Sequence, residues 1–192
     1  MTSIAQPGTL PEYLASGLDL VLVGINPGML SARRGHYFAR RSSRFWPAFS
    51  RSRLSARVRA ALGREALGPE DDLRLLAFGI GLTDLVGRAT GNASQLSQAE
   101  FEAGAPRLRA KLEACRPRVA CFHGVTAYRA FARYALGQPP RAIEVGPQAA
   151  RLGATRLFVT PSPSAANAHF RPEDYVFWYD RLDAFLRESA SE

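Results

Sequence analysis

Two cysteines in 192 residues are too few for a disulfide scaffold or a four-cysteine zinc or iron–sulfur centre, and counting alone leaves a single Cys115–Cys121 bridge open. A reducing cytoplasm is the expected setting, nucleoid-associated if the source is bacterial. No apolar run approaches the roughly 20 residues that cross a bilayer, and the first residues lack the basic-then-apolar order of an export signal. The sequence therefore reads as an unprocessed chain with no membrane partner. Lysine is nearly missing: Lys111 stands alone, so a net charge of +8 is carried by arginine. Arginine forks onto phosphate oxygens and stacks on bases, which makes a polyanion the first partner to consider. A GC-rich genome, which favours arginine codons, gives the same composition with no polyanion at all. No Gly/Ser/Pro-rich linker, internal repeat or low-complexity tract divides the chain, and 46% apolar residues suffice for one core. One domain over 1–192 is expected, with an N-terminal segment (1–17) and a short polar tail (189–192).

What is present alternates. Leu18 to Val23, Arg118 to Phe122 and Leu157 to Thr160 are short runs rich in β-branched and aromatic residues, each ended by Gly, His-Gly or Pro. Between them the sequence predicts helices over Arg44 to Arg51, Ser97 to Cys115 behind a Ser-Gln-Ala-Glu capping box, Gly124 to Ala135 and Glu173 to Glu188. Ser52 to Asp72 reads as an arginine-studded helical connector. Strands alternating with helices predict an α/β fold: a single-domain three-layer α/β/α sandwich around a central, largely parallel sheet.

Ligands of such sheets bind beyond the carboxyl ends of the strands. Gly24-Ile25-Asn26-Pro27-Gly28, His123-Gly124 and Thr160-Pro161-Ser162-Pro163-Ser164 fall there, so three turn-rich segments converge on one crevice. The first could be a plain tight turn in which Asn26 only caps the next segment. A dinucleotide site is disfavoured, because no G-x-G-x-x-G follows the strand and Pro27 removes an N–H needed to cradle pyrophosphate. The segment "SARRGHYFARRSSRFWPAF" (31–49) interleaves aromatics with arginines. Phe38 follows Gly35 off any helical period and is available as a stacking platform, surrounded by Arg33, Arg34, Arg40, Arg41 and Arg44. Phe45, Trp46 and Phe49 have helical spacing and read as core.

Three motifs together resemble the uracil-DNA glycosylase superfamily, most closely its mismatch-specific uracil/thymine branch: "GINPGMLSARRGHYF" with "RFW" behind it, "GLTDLVGRAT", and "FVTPSPSAANAHF" followed by "YVFWYDRL". The resemblance runs from about Leu20 to Leu186. It implies that Asn26 holds the water that attacks C1′ of a deoxyuridine flipped out of the duplex. An amide is no general base near neutral pH, so Asn26 could only orient that water. The resemblance further implies that Phe38 stacks on the flipped base and that backbone N–H groups near Ile25 and Phe38 grip the uracil oxygens. Gly24 lies beside the base, Ser31 near its C5 edge, and Tyr37 and His36 flank the pocket, with solvated loop positions as the alternative for the last two. The serines of the last motif, Ser162 and Ser164, are expected to hold a phosphate.

Two positions depart from the family pattern. Where the family places a bulky Leu or Arg that wedges into the gap left by the flipped base, this chain has Ser164, Ala165, Ala166, Asn167, Ala168 and then His169. Poor plugging and a relaxed dependence on the opposing base follow, extending to single strands. At Asp84 the branch usually carries an amide or amine. A carboxylate here either caps a turn, or sits at the pocket rim to accept from uracil N3–H or assist the water. His123 and His169 are lesser candidates, with a satisfied polar rim residue as the alternative for either, and His169 falls among the expected DNA contacts. The expected activity is that of a monofunctional uracil-DNA glycosylase acting as a monomer, without cofactor or metal. Glycosylases for xanthine, hypoxanthine or 5-substituted uracil, and a catalytically silent DNA-binding relative, remain open alternatives.

Overall fold

The structure, a computed structural model, describes residues 8–165, 167 and 169–188. Five strands form one sheet in the order β2-β1-β3-β5-β4: β1 (Leu20–Gly24), β2 (Ile80–Asp84), β3 (Val119–His123), β4 (Gly146–Leu152) and β5 (Thr155–Thr160). The first four in this order run parallel, and β4 pairs antiparallel with β5 at one edge. The parallel strands read as continuous apolar runs because both faces are covered. Leu20, Leu22, Leu82 and Cys121 enter the core under α2 (Phe45–Arg51) and α6 (Pro172–Glu188). Val21, Val23, Ala120 and Phe122 enter the core under α4 (Gln98–Cys115) and α5 (Val125–Tyr134). The expected α/β sandwich is the fold observed.

Phe45 and Phe49 have no exposed surface and Trp46 very little, as their helical spacing predicted. The capping box at Ser97 forms, with Ser97 Oγ accepting from Glu100 N and Glu100 Oε2 accepting from Ser97 N. The connector after α2 holds two 3₁₀ turns (Arg53–Ser55, Pro69–Phe78) around α3 (Ala56–Leu62). Cys115 and Cys121 are both free and buried. No helix of the described residues is long and apolar enough to cross a membrane.

Two strands lie outside the sequence expectation for physical reasons. In β2 the position of Gly81 is pressed by the Tyr13 backbone, where a Cβ would stand 2.7 Å from the carbonyl oxygen, so the strand needs a residue of low strand propensity. In β4 a proline, a register shift between Pro147 and Arg151 and an alternating exposed pattern mark an edge strand with no apolar run.

Candidate active site

The carboxyl ends of β1, β2, β3 and β5 open into a cavity of roughly 430 Å³, lined among others by Gly24, Ile25, Asn26, Ser31, Phe38, Asp84, His123 and Ser162. Its size is that of small-molecule sites. The amide of Asn26 is fixed from one end only. Nδ2 donates to the Arg88 carbonyl and to Thr90 Oγ1, both at 2.8 Å, with the Pro27 carbonyl at 3.2 Å. Three acceptors around one terminus identify it as the NH₂ and turn Oδ1 away from them. No donor to Oδ1 is found among the described residues. The clamp is itself braced: Thr90 N donates to the Pro27 carbonyl, Met29 N to the Thr90 carbonyl, and Arg88 pairs with Glu100 at 2.6 Å beside the Ser97 cap. A helix cap readable in the sequence thus leads, through Arg88, to the catalytic candidate. Thr90 carries the other half of the clamp and was missed; "GLTDLVGRAT" contains it without marking it.

Asp84 ends β2 level with Gly24 in β1. A Cβ on Gly24 would stand 2.1 Å from Asp84 Oδ1, so the carboxyl lies over the place where any other side chain would begin. Gly24 is needed for close approach, not for an unusual dihedral. Burial first, and then the charge of Glu12, push the Asp84 carboxyl up to about 7, against the lowering effect of Lys111. Glu12 accepts from Thr83 Oγ1 at 3.0 Å and is paired with Lys111 Nζ. Asp84 is half-buried and lines the cavity, where it keeps some solvent contact.

Phe38 closes a stack of three rings: Phe49 to Phe45 at 5.3 Å and Phe45 to Phe38 at 4.1 Å, with interplanar angles of 12° and 23°. One face of Phe38 is covered by Phe45, and the ring also lines the cavity. Its backbone is left-handed, φ 56°, a costly conformation for a non-glycine that recurs at functional sites. The turn that imposes it is held by Asp72, which accepts from Tyr37 N at 2.9 Å and meets His36 Nδ1 at 3.2 Å. Trp46 Nε1 donates to the Tyr37 carbonyl at 3.0 Å, and Ser31 Oγ accepts from Ala39 N at 3.1 Å. Two expectations change here. Tyr37 is neither a pocket side chain nor a solvated loop residue: its ring is in the core, 3% exposed, and its hydroxyl donates to the Pro11 carbonyl. His36 is tied to Asp72 instead of flanking the pocket freely.

The last motif is also held from within. Arg44 donates through Nη1 to the Asn167 carbonyl and to Tyr175 Oη at 3.1 Å, and its N–H donates to the Pro163 carbonyl. Arg44 therefore latches this loop and is not a free phosphate ligand. Ser162, Ser164 and Asn167 line the cavity, with Asn167 Nδ2 donating to the Ser162 carbonyl at 3.2 Å, while His169 is exposed. Ala166 lies outside the described residues. Arg40 lines the cavity and Arg33, Arg34 and Arg41 are exposed nearby in sequence, Arg34 reaching the Ala39 carbonyl at 3.4 Å. His123 is not a rim residue: it is 2% exposed, and its buried Nδ1 finds no hydrogen-bond partner among the described residues.

At the strand ends of this three-layer α/β sheet, a fixed amide, a half-buried carboxyl and a stacked aromatic ring line one cavity. The chain belongs to the uracil DNA glycosylase superfamily, which it matches over residues 11–183. Members of that family are DNA glycosylases, and DNA is the partner. The fold is similar to the solution NMR structure of a candidate uracil DNA glycosylase from Methanosarcina acetivorans, at 22% identity and TM-score 0.54, with 96% of this chain and 98% of that chain covered.

Proposed function

We propose that the protein is a monofunctional uracil-DNA glycosylase of the mismatch-specific type, relaxed toward the opposing base. The observation that carries this reading is the one-sided clamp on Asn26, which leaves Oδ1 to accept from a water beside a cavity bounded by Phe38. Such a water needs placement more than activation when the glycosidic bond breaks largely by departure of the base, because the oxocarbenium-like sugar left behind reacts with a weak nucleophile held in position. Departure of the base is favoured by donors to its oxygens, for which the backbone N–H groups of Ile25 and Phe38 are candidates. Asp84 would accept from the ring N–H. Lys111, the only lysine, is paired with Glu12 and does not line the cavity, which supports hydrolysis without Schiff-base lyase chemistry. Incubation with a uracil-containing duplex followed by alkali should cut the strand at the uracil; an uncut strand after prolonged incubation counts against the reading.

Small side chains where the family wedges its duplex give a second expected result. Excision from uracil opposite G, uracil opposite A and single-stranded uracil should proceed at comparable rates, and Asn167→Arg should favour the duplexes by supplying a plug. Activity confined to the G mismatch would contradict this. DNA binding should weaken steeply with salt, and neutralising Arg33, Arg40 and Arg41 together should flatten the log–log slope by roughly 0.9 for each phosphate contact removed. An affinity indifferent to salt would remove phosphate contacts from the account.

A further inference from the structure

A second cavity, of roughly 560 Å³, lies at the other end of the sheet, where β4 turns into β5 and α4 leads into β3. The active-site rim is at the carboxyl ends of β3 and β5; this cavity is at their amino ends, a strand length of about 16–20 Å away. Four arginines from three segments line it: Arg116 and Arg118 from the α4–β3 junction, Arg151 from β4 and Arg156 from β5.

These side chains converge and are partly pre-set. Arg151 and Arg156 are partners across the β4–β5 ladder, so their Cβ atoms share a face about 5 Å apart and both guanidiniums can reach one anion. The Arg156 guanidinium lies over the Phe185 ring, 3.8 Å from its centroid. Stacking restricts its rotamers, so less freedom is lost when its edge donors bind. Arg118, half-buried, is held by Asp19 at 2.8 Å and by the Leu186 carbonyl at 2.7 Å. Arg116 caps α4 with a left-handed backbone, φ 46°, and is exposed. Glu113, the acidic residue in the lining, is countered by Arg109 at 2.8 Å.

Arginine forks match phosphate oxygens, and cations drawn from several segments suit a repeating backbone of phosphates. DNA is the partner of the family to which the chain belongs. Duplex DNA is stiff over about 50 nm, so a duplex seated on the active-site rim does not curl around the sheet to its far end. A phosphate at these arginines comes from a different segment.

We infer that the arginine cavity at the amino ends of β3 and β5 holds the phosphate backbone of a second DNA segment while the active-site rim faces the first. The inference rests on DNA being the partner and not on which base is excised. Contacts at opposite ends of one domain let the protein engage a new segment before it releases the old one, each segment being held at high local concentration by the other. A repair protein that meets mostly undamaged DNA thereby moves between segments without an interval free in solution.

The test follows release of a fluorescent undamaged duplex from the wild-type protein, chased with rising concentrations of the same duplex unlabelled. Release should accelerate roughly in proportion to competitor, because the incoming duplex binds the far cavity before the first one leaves. The double variant Arg116→Gln, Arg151→Gln changes two exposed positions outside the core. Its release should be independent of competitor, and its single-turnover excision from one duplex should equal that of wild type. In ¹⁵N-labelled wild-type protein, a short duplex in excess should shift the amides of Gly153, Ala154 and Thr155, which line the cavity. Release indifferent to competitor, equal acceleration in the double variant, or amides moved by inorganic phosphate or polyglutamate but not by the duplex overturns the inference. Competitor-driven release by a protein that excises no uracil overturns only the glycosylase reading.

Discussion

Asn26→Ala should slow single-turnover base release by roughly two to three orders of magnitude, the loss seen when one well-aimed polar contact to a reacting group is removed. The deficit should be the same at every accessible pH, because an amide does not titrate and only positions the water. The geometry makes the expectation specific. Nδ2 is anchored to the Arg88 carbonyl and Thr90 Oγ1, so Thr90→Val, which loosens the anchor without touching the water, should reproduce part of the effect. A pH-dependent deficit in Asn26→Ala would mean that the water is deprotonated by another group whose reach Asn26 controls.

Asp84→Asn should act oppositely on activity and stability. The carboxyl titrates near 7 because burial and the Glu12 charge disfavour its ionised form, Lys111 partly opposing them. The ionised carboxylate accepts a ring N–H more strongly than the neutral acid does, so the wild-type rate should rise with pH through about 7, whereas Asp84→Asn should be slower at neutral pH and lack that limb. For stability the sign reverses. Between the ordinary value of 3.8 and about 7 the folded state holds this proton more tightly than the unfolded state, so wild-type stability falls as pH rises through that window and is constant above it. Asp84→Asn removes the penalty and should be more stable than wild type at pH 8 but not at pH 4. The gain is at most ~4 kcal/mol, and less because the residue keeps some solvent contact. Urea unfolding at the two pH values reads it directly. Equal stabilities and superimposable pH–rate profiles would return Asp84 to a structural role. Asn26→Asp, which puts a charge beside the water, should partly rescue Asp84→Asn.

Much of this was legible in the sequence because strands and turns carry local signals. Apolar runs ending at Gly24, His123 and Thr160 located three strand ends, and the Ser97 capping box located a helix start to within a residue. Phe38 stood out because it broke a helical period. What escaped were features set by contacts between distant segments. Gly81 concealed β2 because the Tyr13 backbone, far away in sequence, forbids a side chain there. Thr90 and Asn26 are 64 residues apart, and nothing in either neighbourhood announces the clamp. Tyr37 has the composition of a binding-loop residue, but the Pro11 carbonyl draws it into the core. Arg44 looked like its arginine neighbours until Asn167 and Tyr175 appeared beside it. His123 stood at a strand end with nothing local to show that Tyr179, 56 residues away, would enclose it.

Product analysis tests the central claim most directly. A duplex carrying one deoxyuridine, incubated with the protein and separated without alkali, should yield free uracil in step with protein-dependent abasic sites, in an intact strand that breaks at that position only on alkali treatment. No release of uracil, or a strand already broken before alkali, would contradict a hydrolytic, monofunctional glycosylase.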